Sequence, residues 1–276
     1  MIKEKKFYTI SNNIIFKNTF NTKKRLKRLL EETLNLKVNE IYQNNIEMPV
    51  ETIKERRKYL DLILKTDKGV INVEVNYGYK EELPYRNFLY FCKLISTSVR
   101  KNKSYTNINK HIQLNITWNL QRYIDYDISN RKIIKCHVSD DETHDKYYDE
   151  IFEIVHINMD YYEKIWYHGN IKKENPFLML LAAPSEDKMD MISKGDKIME
   201  ELSKKVKKLN QNPEIIDVIT QNEDEIINNT MYEKGISQGI SQGIEQTAKN
   251  LLKMKMNLND ISKATGLSIK EIEKLR

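Results

Sequence analysis

The stretch YLDLILKTDKGVINVEVN, residues 59 to 76, decides how the rest of the chain is read. Two β-rich runs, Tyr59 to Lys65 and Val70 to Asn76, flank Thr66-Asp67-Lys68-Gly69, a composition suited to a tight hairpin turn. Side chains alternate across a strand, so Leu60, Leu62 and Leu64 share a face with Ile71, Val73 and Val75. The other face carries Asp61 and Ile63 opposite Asn72, Glu74 and Asn76. A symmetric loop over Asp67-Lys68 pairs Lys65 with Val70 and, counting outward, Asp61 with Glu74. Carboxylates placed there have Cβ atoms roughly 5 Å apart and repel each other. A divalent cation removes the repulsion, since Mg²⁺ is typically held by one or two carboxylates. A solvated acidic strand pair is the other reading of the same residues.

Outward from the hairpin the pattern is mixed. Lys23 to Leu36 is amphipathic, with Leu26, Leu29, Leu30 and Leu34 on one side, and predicts a helix. A polar stretch containing Pro49 separates it from the hairpin. Pro84 precedes a second predicted helix, Tyr85 to Arg100, and His111 to Trp118 alternates as a strand. Lys132 to Val138 and Ile151 to Ile157 are further candidate strands. Helix, hairpin, helix, strand is the order of an α/β domain.

From Ser185 onward the chain turns helical and polar, so the expected boundary lies near Pro184, with residues 1–184 as one domain and 185–234 as a helical region. Residues 235–246, GISQGISQGIEQ, repeat every four positions. In a helix this stacks Gly235, Gly239 and Gly243 on one face, where each interior Gly costs about 1 kcal/mol against Ala. Either close pairing with a second copy offsets that cost, making a dimerisation helix of a homo-oligomer, or the repeat is a linker. Residues 247–276 form a helix-turn-helix-like tail in which Ser268 and Glu271 make a capping box.

The net charge of +6 is unevenly spread. Residues 1–37 carry ten Lys/Arg against three Glu, and residues 86–110 carry six Lys/Arg and no acid. Such tracts suit a polyanion, because Lys and Arg displace condensed counterions from phosphates, and Lys23, Lys24, Lys27 and Arg28 are the candidate contacts. Solvated helix faces give the same composition. No apolar run approaches the roughly 20 residues needed to span a bilayer, and MIKEKKFYTI lacks the apolar core of a secretion signal, so a cytoplasmic protein without a membrane partner is expected. Cys92 and Cys136 form no CxxC, and GxSxG, Walker and HExxH patterns are missing.

Several segments combine with the hairpin into a resemblance. NNIIFKNTF at residues 12–20, RNFLYFCKLISTSV at 86–99 followed by Tyr105 and HIQLNIT, the G-I-x-Q units and the TGLSIKEI tail together resemble the recombination-promoting nuclease/transposase family of PD-(D/E)XK nucleases. The resemblance implies a nuclease-like mixed sheet flanked by helices, with a helical C-terminal extension. It also implies a metal-dependent endonuclease that hydrolyses DNA phosphodiesters in transposition or recombination. Asp61, Glu74 and the backbone carbonyl of Val75 would ligate Mg²⁺, or Mn²⁺ in its stead, and Arg86 would position a phosphate. Asp61, Glu74 and Asn76 would form the catalytic set. Asn76 stands where the family has Lys or Gln, Asn13 where it has Asp and Ser98 where it often has Gln. These departures leave two readings open: a slow deoxyribonuclease, or a DNA-binding protein that keeps the nuclease fold without its catalysis.

Overall fold

The structure, a computed structural model, describes residues 6–44, 62–98 and 108–275. Helix α1 (Asn13–Thr19) starts where the Asn12 side chain accepts from the Ile14 and Ile15 amides. It buries Phe16 against Phe20, with ring centroids 4.6 Å apart, and Phe20 meets Phe177 edge-on. Helix α2 (Lys23–Leu34) is capped by Thr22 and ends on Asn35 in the left-handed conformation. Its buried stripe is Leu26, Leu29 and Leu30, as the periodicity predicts.

Strands β1 (Ile41–Asn44), β2 (Leu62–Thr66) and β3 (Gly69–Asn76) run antiparallel in sequence. Helix α3 (Leu83–Ser98) then crosses over to β4 (His111–Thr117), which lies parallel to β3 as such a crossover permits. Strand β5 (Ile133–Cys136), the small hairpin of β6 (Val138–Ser139) and β7 (Lys146–Tyr147), and β8 (Phe152–Asn158) follow. The main sheet has the order β1-β2-β3-β4-β8-β5, parallel across β3, β4 and β8 and antiparallel elsewhere. The expected α/β nuclease-like sheet flanked by helices is what forms. Strand β1 falls in the segment read as polar connection, because four residues at a sheet edge carry too little alternation to stand out.

The hairpin closes as predicted. Thr66 pairs with Gly69, Lys65 with Val70 and Leu62 with Val73 around the two-residue turn. Asp67 fixes that turn by accepting from the backbone of Asn39 and Glu40 and from the Asn39 amide. Gly69 has φ +116°, and a Cβ there would collide with the Lys110 carbonyl, which accepts from Val70 N. The face predicted to be apolar is so: Leu64, Ile71, Val73, Leu114, Val155 and Ile157 are fully buried.

Helix α4 (Met159–His168) and helix α5 (Pro176–Leu181) lead into α6 (Glu186–Ser193) and α7 (Lys197–Asn210). The boundary expected near Pro184 does not coincide with the edge of the compact unit, which runs to Ile215. Helix α7 contacts α1 and buries Met199, Leu202, Val206 and Leu209. At its end the Asn210 side chain accepts from Tyr8 N at 2.7 Å and donates to Tyr8 O at 2.8 Å.

Residues 216–276 make the second unit. The repeat lies inside one continuous helix, α8 (Pro213–Lys253). Helices α9 (Leu258–Thr265) and α10 (Ile269–Glu273) fold back so that Ala248, Ile261 and Ile272 form a small core, and the predicted Ser268–Glu271 capping box is present. Among the described residues no helix is long and apolar enough to cross a membrane.

A chain ending at Ile215 should therefore unfold cooperatively, and one ending at Pro184 should not fold, as read by circular dichroism on heating. Asn210→Ala, which strands two buried backbone groups of Tyr8, should lower stability by about 3 kcal/mol in urea titration.

Candidate active site

A parallel strand flanked on both sides is normally apolar on both faces. Here the face opposite the Ile71/Val73/Val75 row is polar in register across two strands. Asn72 lies beside Gln113, Glu74 beside Asn115 and Asn76 beside Thr117, and the row continues on β8 with His156 and Asn158. All of these but His156 are buried, with Glu74 3% and Asn76 4% exposed. Helix α3 packs on this same face, where Leu94 joins Ile63 and Val70.

Two hydrogen-bonded relays organise the layer. Asn72 Nδ2 donates to Gln113 Oε1 at 2.7 Å and to Glu74 Oε1 at 3.3 Å, and Gln113 Nε2 donates to Asn115 Oδ1 at 2.8 Å. In the second, the Arg86 guanidinium donates to Asn87 Oδ1, Asn87 Nδ2 donates to Asn76 Oδ1, and Asn76 Nδ2 donates to Thr117 Oγ1. Asn72 Oδ1 is buried without a hydrogen-bond partner.

The predicted site residues divide. Glu74 and Asn76 stand two apart on the polar face of β3, and Val75 between them faces the other side. Asp61, the predicted partner of Glu74, lies outside the described residues. Arg86 sits on the first turn of α3 and reaches Asn76 through Asn87. The α2 cations lie elsewhere. Lys23 is exposed, Lys24 pairs with Glu201 at 3.3 Å, Lys27 donates to the Asn39 carbonyl, and Arg28 pairs with Glu32 and Asp196. Three of these four thus have partners inside the chain.

Beside Asn76 the polar layer opens into a cavity of about 460 Å³. Its floor is Asn76, Gln113, Asn115, Thr117 and His156, with Asn87 descending from α3. Leu120, Ile134 and Ile154 wall it. Burial drives the His156 imidazole down to about 4, so it is neutral near pH 7. Tyr123 also lines the cavity, and its hydroxyl accepts from Lys80 N and donates to Lys80 O, tying the β3–α3 loop to the turn at Leu120–Tyr123.

Asn87, Gln113 and Asn115 are not among the candidate residues that the sequence offers, and Asn72 stands there only as a neighbour of Glu74 on the hairpin. The signal for most of them was present: polar residues at alternate positions in both VINVEVN and HIQLNIT, strands that a parallel pairing would bury.

The model of the PD-(D/E)XK nuclease family transposases matches residues 12–233. The chain belongs to that family. No curated protein and no solved structure matches it. The family match covers the whole polar layer and ends within α8, before the glycine repeat.

Nucleases of this kind use divalent metal ions. Among the described residues no three His, Cys, Asp or Glu side chains gather as a metal cluster. What β3 offers is a buried carboxylate at Glu74 and an orphaned acceptor at Asn72 Oδ1. Both are hard oxygens, the donors that Mg²⁺ and Mn²⁺ prefer, so the residues present fit such an ion.

The cavity histidine gives a pH test. His156 titrates at about 4 in the folded chain and near 6.5 when unfolded, so the unfolded state takes up the proton first as pH falls. Stability should drop between pH 6.5 and 4, by about 3 kcal/mol in total from this group. The stability gap between the native protein and His156→Gln, read from urea midpoints at pH 7 and pH 5, should shrink at the lower pH. A gap independent of pH would show that the imidazole is not held neutral.

Proposed function

We propose that this family member is a metal-dependent DNA endonuclease that hydrolyses phosphodiesters, with Asp61, Glu74 and the Val75 carbonyl holding Mg²⁺ or Mn²⁺. The observation that carries the reading is Glu74 itself. A carboxylate 3% exposed in the middle of a sheet puts hard oxygen donors, the kind a divalent cation takes, on the polar layer of β3 beside the cavity. The hairpin register supports pairing it with Asp61, since Leu62 opposite Val73 is the step before.

The ion, when bound, supplies electrophilic stabilisation of charge gathering on the phosphodiester oxygens. Asn76 keeps one amide hydrogen beyond the one given to Thr117 and can orient a water, but it brings no charge and cannot act as a base. Arg86 spends two of its nitrogens on Asn87 and retains donors for a phosphate. Lys23 is the first candidate for backbone contact on α2, because Lys24, Lys27 and Arg28 are already engaged. The glycine repeat at residues 235–246, within α8, would serve as a dimerisation helix or as a linker.

Purified protein should cut supercoiled DNA slowly with Mg²⁺ or Mn²⁺ and not after chelation. Glu74→Gln and Asp61→Ala should each reduce cutting by a factor of about 100 or more. The salt dependence of DNA binding should be retained in both, since the phosphate contacts lie on other residues. Undiminished cutting in Glu74→Gln would remove the proposed site. DNA binding without cutting under either ion would favour the second reading, a nuclease fold without catalysis, which the uncharged Asn76 also supports.

A further inference from the structure

The cavity beside Asn76 is chemically unlike a site for phosphate or for a cation. Among the described residues that line it, Asp125 is the one acidic side chain and there is no Lys or Arg. Its floor is instead a set of neutral groups that both donate and accept: Asn76, Asn87, Gln113 and Asn115, with the Thr117 hydroxyl. Its walls are apolar and its mouth is aromatic. Phe88 on α3 and Tyr126 on the facing loop line it while remaining 52% and 55% exposed. Tyr79 stacks at 5.0 Å on Tyr123, which lines the cavity, and Arg122 lies over the Tyr79 ring at 3.7 Å.

A ligand that suits these surfaces is uncharged, planar and edged with donors and acceptors, and the volume of about 460 Å³ is within the range of small-ligand pockets. Asn76 belongs to the cavity and stands two residues along β3 from Glu74, so such a ligand would sit next to a phosphodiester bound by an ion at that carboxylate. From this we infer that the cavity receives the base of one unpaired nucleotide of a DNA strand, stacked at the mouth by Phe88 and Tyr126 and hydrogen-bonded on its edge by the amide floor. The enzyme would then act where a base is already unstacked, at a bulge, a mismatch or a single-stranded junction. This rests on the nuclease reading for the position of the phosphate, but the base site can be measured without cleavage.

The test is binding in EDTA, by anisotropy, to three labelled duplexes of one sequence. One is fully paired, one carries a single extra thymine, and one carries an abasic residue in place of that thymine. The base-bearing bulge should bind about tenfold more tightly than the abasic one, and 2-aminopurine at the extra position should change fluorescence on binding. Cys136, an exposed residue of the edge strand that lines the cavity, allows it to be filled by Cys136→Trp. This variant, and Phe88→Ala with Tyr126→Ala, should bring the ratio close to one while leaving affinity for paired duplex unchanged. Equal affinity for thymine and abasic bulges in the native protein overturns the inference, as does a preference that survives both sets of substitutions. Cutting without base preference would sink the base site alone. Base preference without cutting under any metal would sink the nuclease reading and leave the site standing.

Discussion

One amide nitrogen holds the site together: Asn72 Nδ2, shared between Glu74 Oε1 on its own strand and Gln113 Oε1 on the next. The sharing requires β3 and β4 to lie parallel with Asn72 beside Gln113 and Glu74 beside Asn115. A one-residue slip of β3 against β4 would turn Val73 into the polar face and bury Asn72 and Glu74 among the aliphatic side chains of the other. Each buried group left without a partner costs about 1–3 kcal/mol, so such a slip is excluded by several groups at once. Register on this sheet is therefore specified by polarity on one side and by hydrocarbon on the other.

The fold devotes local devices to that register. Gly69, in a conformation that L residues avoid, lets Val70 N reach the Lys110 carbonyl, so the first residues of β3 and the approach to β4 are aligned before the polar rows begin. Helix α3 closes the crossover and returns Asn87 to Asn76. The result is a carboxylate lodged in a layer of amides bonded to one another across strands. Amides linked in this way in a poorly polarisable interior are held rigidly, and a rigid layer keeps Glu74 and Asn76 in fixed relation to whatever they bind.

Local parts of this arrangement were legible in the sequence and non-local ones were not. Alternation over Leu62 to Asn76 and the Thr66–Gly69 turn predicted the hairpin and its pairing, because both are set by residues a few positions apart. The polar layer needs Asn72 to meet Gln113 and Asn115 to meet His156, each 41 residues apart, and no spacing rule announces which strands will be neighbours. The same limit hid the role of α7. Its apolar stripe is that of any amphipathic helix, and the contact that ties it to the N-terminal segment joins Asn210 to Tyr8, 202 residues away. The α2 cations were visible as charge, but their ion pairs with Glu201 and Asp196 depend on packing. Sequence charge counts groups without saying how many are spent internally.

Asn76 takes on a different meaning in this setting. Read alone, an amide where the family has Lys or Gln is a loss, since a lysine would add positive charge at the reacting phosphate. In the structure the same side chain accepts from Asn87, donates to Thr117 and forms part of the floor of a neutral cavity. A lysine there could not accept from Asn87 and would bring an ammonium among groups suited to an uncharged ring, where it would repay its desolvation only against an anion. On the two proposals, a charge that would speed phosphodiester cleavage and a neutrality that would admit a base compete for one position. If the cavity takes a base, Asn76 is the compromise that lets one face of the sheet hold a cation at Glu74 and an uncharged ligand beside it. Asn76→Lys then becomes the decisive substitution: faster cutting of paired DNA together with loss of the preference for an unpaired base would show the two functions trading against each other at a single side chain.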